Sequence, residues 1–577
     1  MTMMDLSEYY ASELAFLRDT AAAFARENPA LAGALQERGT DPDVERLLEG
    51  VAFLNAGLRA RIDQSGAQIA HGLAELTLPH YLRSLPATTI VEFHPNVKTL
   101  RVRQRVPKDR PLLARAIDGT ACRFRTSHDV DLWPLTIVDT RLDESVARSP
   151  KVSVQLDLFE AGRAALADPT PLRFYLHHTD ASVTAALMLW LTRHLDGVTV
   201  LSGTSVVARL PPTSVAAPPS AGHAVLPWLD TAPQGYRSVL ELFALPEKFC
   251  FFELTGLHDL GLGDQRLALQ FEFDRPPPLP AALTATTFRL HCTPAINLFE
   301  APGEPIVRGP RTREALVRAD GVDPRHMEVY DVRGVTAVSR TASSRRSFAP
   351  FARAAHVAGR PAPSYALRRV RSPIDGGLDT YLALIDPDRP RPGADEEVLS
   401  LQLVCTNRAL ARDLQPGDIA EELRGATYRG YTNISPVSPP VRMALGSEAL
   451  WRLLSHLALN QRGPADADSL RGLLRLYNFH AAANAQRGRL NDRMIEAVRD
   501  VRRDPVTRLI RGVPIRTVRT TVELDERGFA GLGNAYTFGI VLDDLYGSHV
   551  NINVASELRV VLSPSKLEYA WPVRIGD

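Results

Sequence analysis

The chain has 577 residues, a formal net charge of +1 and an ordinary globular composition, 45% hydrophobic and 23% charged, so no global field draws in nucleic acid. Its four cysteines, Cys122, Cys250, Cys292 and Cys405, lack metal or redox spacing and sit beside apolar residues, which excludes a disulfide scaffold and reads as buried, reduced thiols. One hydrophobic core is implausible at this length, so roughly three to four domains are expected.

The opening MTMMDLSEYY carries acidic residues and no apolar core, and is not read as a signal peptide. Helical periodicity follows at once. Tyr10, Leu14, Leu17, Ala21 and Phe24 form one apolar stripe, and Asp5 with Glu8 fits a capping box at its start. Val44, Leu47, Val51, Leu54 and Leu58 form a second, with Thr40 or Asp41 as cap and Pro42 in the first turn. Two such seams can hide against each other or against a partner helix. This opening suits assembly better than catalysis. The block closes with Leu73–Pro86, where Pro79 and Pro86 bracket His80, Tyr81 and Leu82.

From Thr88 the period changes to that of strands. Thr88–Pro95, Val152–Phe159, Leu172–His178, Val198–Gly203 and Leu267–Asp274 alternate or run β-rich between Pro, Gly and Asp. One helix interrupts them at Ala181–His194, capped by Asp180 or Ser182. Arg193 and His194 break this apolar run, so no membrane helix is expected. Pro-rich breaks lie at Pro211–Ser220 and Pro276–Pro280. Further strands are expected in MEVYDVRGVTAVSR, at Thr380–Asp386 and in LSLQLVCTN. From Ser447 the chain returns to helix in EALWRLLSHLALN, LRGLLRLYNF and DRMIEAVRDV, then gives short strands and a helix around Ala535–Leu545. The expected fold is a multidomain α+β chain. It has a helical segment (1–87), a β-rich domain (88–300), a second β-rich domain with a basic loop (301–445) and an α+β C-terminal domain (446–577).

The segment Val332–Ile374 holds no acidic residue but carries Arg333, Arg340, Arg345, Arg346, Arg353, Arg360, Arg368, Arg369 and Arg371. It reads as a solvated loop or as a basic loop docking on an acidic neighbour. A stacking platform for nucleic acid would need more aromatics than Phe348, Phe351 and Tyr365.

A reaction centre needs a constellation, and none is evident. There is no GxxxxGK[ST] loop, no GxSxG elbow and no HExxH. GLGNAY at Gly531–Tyr536 lacks the last small residue of a dinucleotide loop, so its glycines are read as turn formers. SGTS at Ser202–Ser205 reads as a turn. His177 and His178 are adjacent and would face opposite ways in a strand. The paired carboxylates Asp41/Asp43, Asp129/Asp131, Asp386/Asp388 and Asp543/Asp544 show no apolar pocket that would separate their pKa values. Glu45 and Arg46 read as exposed salt-bridging partners. Neither a catalytic residue nor a metal or cofactor ligand is assigned.

A resemblance is carried by strings in fixed order along nearly the whole chain. They are YYASELAFLRDTAAAFARENPALAGAL, DPDVERLLEGVAFLNAGLRARID, LPHYLRSLP, KFCFFELTGL, PAINLFEAPGEPI, HMEVYDVRGVTAV, LQLVCTNRAL, ISPVSPPV, LWRLLSHLALN, LRGLLRLYNF and FAGLGNAYTFGIVLDDLYGSHVNINVASEL. Through them the chain resembles the TssF (VasA/ImpG) family, baseplate subunits of the bacterial type VI secretion system. The stretch Ile62–Leu73 departs from the family pattern and leaves the end of the second helix open.

The resemblance implies a structural, non-enzymatic wedge subunit in a cytoplasmic baseplate docked at the inner-membrane complex. It implies two copies of the chain with one TssG, binding to TssK trimers, and neighbours among other baseplate, sheath and spike components. It implies no cofactor, no nucleic acid and no direct membrane insertion. The helical stripes would join a bundle shared with TssG. The implied interface residues are Tyr10, Leu14, Leu17, Phe24, Leu47, Val51, Leu54 and Leu58, with Arg18 as an exposed position beside them. The rival readings are a wedge protein of a related phage tail or extracellular contractile particle, and a β-sandwich hydrolase or glycan-binding protein.

Overall fold

The computed structural model describes the chain except residues 1–2, 29–41, 144–149, 219–221, 229–231, 259, 262–263, 309–313, 340–344, 352–361, 373–376, 387–396, 423–426, 443–450, 452–454, 456–462, 511, 551–553 and 577. The fold is α+β and multidomain, and it gathers into two compact units. One is Met1–Leu82 with Ala444–Ser455; the other is Arg83–Met443 with His456–Asp577.

In the first unit a helix spans Met3–Glu27 and a second spans Pro42–Thr77. The first begins before Asp5, so Asp5 lies inside the first turn and is not the cap. Pro42 opens the second helix, where its missing N–H costs nothing. That helix runs 36 residues, through the departing stretch Ile62–Leu73 to Thr77. A 3-10 turn follows at Pro79–Leu82.

The second unit is built of sheets. The strand Thr88–Pro95 pairs on one side with Cys292–Ile296 and on the other with Tyr428–Asn433, in a six-stranded sheet completed by Thr120–Thr126, Pro111–Ile117 and Ala420–Glu422. Phe93, Leu112, Phe124, Leu132 and Tyr431 fill the core beside it. Lys151–Leu158 alternates buried and open positions and pairs with Arg266–Phe273 and Leu135–Asp143. Such alternation is what a strand with one covered face requires. In the KFCFFELTGL string, Phe252 stacks on Phe174 at 5.0 Å and meets Phe288 and Phe271 edge-on. Glu328–Ser339 and Glu397–Thr406 are neighbours in an eight-stranded sheet over a core of Val335, Phe348, Tyr365, Leu382, Leu401 and Leu403.

Helices close the remaining faces. Ala181–Arg193 is capped by Asp180, whose carboxylate accepts from the Ser182 amide at 2.9 Å. The helical pattern of DRMIEAVRDV stops at Glu496, because Val498 starts a strand to Ile510. That strand and Val513–Asp525 are 13 residues each, longer than the short strands expected. The edge position of the first accommodates Pro505, which cannot donate to a ladder. The helix Leu532–Gly547 then crosses over, so that Val554–Ser563 lies parallel to Val513–Asp525.

Of the two glycines of GLGNAY, Gly533 serves packing, not a tight turn. A Cβ on Gly533 would stand 2.2 Å from the Ala185 carbonyl, so only glycine lets Leu532–Gly547 approach the Ala181–Arg193 helix this closely. Gly531 is an extended cap residue. The predicted helix in EALWRLLSHLALN falls largely outside the described residues.

Candidate assembly surface

The two N-terminal helices run antiparallel. Arg18 donates to Glu45 at 2.8 Å, and Glu13 pairs with Arg59 further along. Between these pairs the second helix presents Ala52 and Ala56, both fully buried. Glu45, Ala52, Ala56 and Arg59 fall on one face at about 100° per residue. Leu47, Val51, Leu54 and Leu58 fall on a face about 130° away by the same rotation. The second helix thus meets the first through small side chains and ion pairs, and its leucine stripe does not contribute.

That stripe is open. Leu47 is 69% exposed, Leu54 67% and Leu58 58%, with Val51 at 43%. Ile62, 69% exposed, extends it by one more turn. The sequence reading ends the stripe at Leu58, because Ile62 begins the stretch that departs from the family pattern. On the first helix, Tyr10, Leu14 and Leu17 are half-buried, on the same face as buried Glu13 and Ala25. Phe24 is exposed, as are Phe16 and Phe53. So the structure sets Tyr10, Leu14 and Leu17 on the paired face and leaves Leu47, Val51, Leu54 and Leu58 together on a free one.

A run of apolar residues this long has no reason to remain on a solvated helix unless a partner covers it. Arg18 is engaged with Glu45, so its reversal would place two carboxylates together within the hairpin. Assembly lost in such a variant would be ambiguous, and the leucine stripe is the cleaner target. Arg46 stands 3.7 Å from Asp43 on the exposed side.

The described residues of the arginine-rich segment are mostly sheet, not loop. Arg333 pairs with Glu300, Arg368 with Glu314, and Arg369 donates to the Tyr330 carbonyl at 3.2 Å. Arg346 and Arg308 together hold the buried carboxylates of Asp386 and Glu397 at 2.6 to 3.1 Å. Arg308, Arg333, Arg346 and Arg368 are thus matched within the chain by carboxylates distant in sequence. Arg345 and Arg371 face solvent, while Arg340, Arg353 and Arg360 lie outside the described residues.

The titratable clusters have structural partners. Among the described residues no group of three or more His, Cys, Asp or Glu could hold a metal ion. His178 accepts from the Asp180 amide at 3.0 Å, and the His177 amide donates to Thr287. Burial pushes the Cys250 and Cys405 thiols up to about 12 and Cys122 up to about 11, which suits unreactive core residues. Asp129 and Asp131 receive Arg105 and Arg103.

Asp543 and Asp544 differ from the sequence reading. Both are buried, and Arg574 reaches both, at 2.6 and 2.8 Å. Burial pushes the Asp543 carboxyl up to about 6, with Arg574 opposing. A raised folded pKa favours the protonated form. Its contribution to stability is full below the carboxyl's unfolded value of about 3.9 and is lost as pH rises through about 6. Asp543→Asn, locked neutral, is therefore expected to gain about 1–3 kcal/mol on the parent as pH rises from 4 to 7.5. Hydrogen exchange of the Leu532–Gly547 amides in both proteins across that range, each compared at the same pH, checks it, and a pH-independent difference would refute it.

A multidomain scaffold with an unpartnered apolar helix face belongs to the class of assembly subunits. A family model described as "Type VI secretion system, TssF" matches residues 2–577. The chain belongs to this TssF family of the type VI secretion system. It is 30% identical to the type VI secretion system component TssF1 of Pseudomonas aeruginosa over 603 residues, covering 96% of each chain. It is also similar to a chain of a solved TssK-TssF-TssG baseplate subcomplex, with 26% identity, TM-score 0.75, and 92% of this chain and 99% of that one covered. The fold matches a chain of a type VI secretion system baseplate complex as well, with TM-score 0.65 and 24% identity over 99% of this chain and 100% of the other.

No helix among the described residues is long and apolar enough to cross a membrane.

Proposed function

We propose that this chain is a structural wedge subunit of a type VI secretion baseplate. It assembles with TssG and TssK in the bacterial cytoplasm, where the baseplate docks at the inner-membrane complex. It catalyses no reaction. The observation that carries this reading is the open stripe Leu47, Val51, Leu54, Leu58 on a helix already paired through its opposite side. Full-length family membership and the likeness to a solved baseplate subcomplex support the partners. The stripe is the docking face for helices of TssG. Tyr10, Leu14 and Leu17 hold the hairpin together, and Phe24 stands at its rim.

Co-expression with the cognate TssG and TssK, affinity capture of this chain and mass determination test the proposal. A stable complex with two copies of this chain per TssG is expected. A well-behaved monomer that ignores both partners would overturn the reading.

A further inference from the structure

The chain passes between its two units after Leu82, after Met443 and after Ser455. Two of these crossings start from one place in the sheet-built unit. Leu85 and Val441 form an isolated antiparallel bridge, with Leu85 N–H to the Val441 carbonyl at 2.7 Å and the return bond at 3.0 Å. Inward from that bridge the segments 85–90 and 434–441 stay side by side. The second is ISPVSPPV, whose three prolines have no N–H to give to a ladder. Serine hydroxyls replace the missing pairing. Ser438 Oγ accepts from the Thr88 amide and Ser435 Oγ from the Ile90 amide, both at 2.8 Å.

Both segments then meet one buried carboxylate. Glu328, 3% exposed, opens the strand Glu328–Ser339. Ser84 donates to its Oε1 at 2.6 Å, and Arg442 stands 3.6 Å from its Oε2. Buried Arg408 lies at 3.9 Å, and the Leu378 amide donates to Oε2 at 3.3 Å. Arg83, next to Ser84, pairs with Asp331 at 3.0 Å and stacks over Tyr330. A carboxylate removed from water needs such partners, and removing it takes a buried counter-charge away from Arg408, which keeps the less buried Asp379 carboxylate at 3.6 Å.

We propose that Glu328 is a positioning residue that pins two of the three connections to the helical unit, the segments 83–90 and 434–442, side by side into one closed neck. Within the sheet-built unit these two connections then leave as one clamped pair of segments, not as two independent linkers. Its consequence for assembly rests on the docking role proposed above; the neck itself does not.

The test is hydrogen exchange on the full-length chain carrying Glu328→Gln. Exchange at the Leu85, Ile90, Ser438 and Val441 amides is expected to rise together, by at least about tenfold, while the strand Lys151–Leu158 is unchanged. A disulfide between Leu85→Cys and Val441→Cys, opposite each other across the bridge, should restore protection in the Glu328→Gln background. Unchanged exchange, a response in one segment alone, or a rise throughout the sheets would overturn the clamp. Should Glu328→Gln not fold, Ser84→Ala leaves Arg408 and Arg442 on the carboxylate and should give the same coupled response at smaller size. Capture of TssG should fall with Glu328→Gln and return with the disulfide. A loosened neck with unchanged capture would overturn the positioning role while leaving the docking face intact.

Discussion

Replacing Leu54 and Leu58 together by Asp is expected to abolish capture of TssG and leave the chain folded. Both side chains are exposed and lie away from the alanine face that joins the two helices. The free chain therefore loses little packing, and the cost to its stability is about 1 kcal/mol or less. In a complex each leucine would leave water, worth about 1.5–3 kcal/mol apiece. The two carboxylates would also be stranded against apolar surface. Affinity should then fall at least about 100-fold. Ala56→Leu is the counterpart. It overfills the buried helix contact and should lower stability by about 1–3 kcal/mol. Hydrogen exchange of the two N-terminal helices with co-capture separates the two effects. Capture that survives the double Asp substitution would remove the stripe from the interface.

Glu241→Ala should be the most damaging single change in the sheet-built unit. Glu241 is fully buried on the helix Gln234–Ala244. One carboxylate oxygen accepts both the Val225 and Leu226 amides at 2.8 Å, and the other pairs with Lys248, itself buried. Truncation strands a buried ammonium and two backbone donors at once. Breaking a buried pair costs about 3–5 kcal/mol, so exchange of the helix amides should quicken by about 100-fold or more. Exchange is the right readout, since a chain of this size with two units does not unfold in one step.

The loop so released also carries His223, stacked on His128 at 4.0 Å, while His128 Nε2 donates to the Ala224 carbonyl. Burial pushes His128 down to about 3, so both rings stay neutral and packed near neutral pH. A change below tenfold at Glu241→Ala would show that the loop is held by other contacts.

Local periodicity made much of this fold legible. The alternation of VSVQLDL, the Asp180 cap and the helix LRGLLRLY follow from side-chain period and end chemistry alone. Pairing between distant segments was not legible. The second helix carries two apolar faces, one of alanines and one of leucines, and hydrophobicity favours the leucines. The structure pairs through the alanines because small side chains let two backbones approach and Arg18–Glu45 and Glu13–Arg59 fix the register.

The arginine-rich segment misled for a similar reason. Arg346 and Arg368 look unbalanced because Glu397 and Glu314 lie far off in sequence. Buried Asp543 and Asp544 were indistinguishable from a solvated pair, since their burial depends on Arg574 near the chain end. Among the proposed interface residues the stripe itself is legible in the sequence, but not its freedom from the neighbouring helix.

The strand Thr88–Pro95 completes its sheet only with partners from Cys292–Ile296 and Tyr428–Asn433, and Thr88 meets Ser438 across 350 residues. During synthesis at about 5–20 residues per second, that strand leaves the ribosome some 18–70 seconds before its last neighbour exists. The N-terminal hairpin has no such wait, because both its helices are made first. A nascent chain should therefore display its leucine stripe to the cell while the body that carries it is still unpaired. Recruitment of a partner during translation would then compete directly with aggregation, and the order of subunit production would matter as much as the affinity between them.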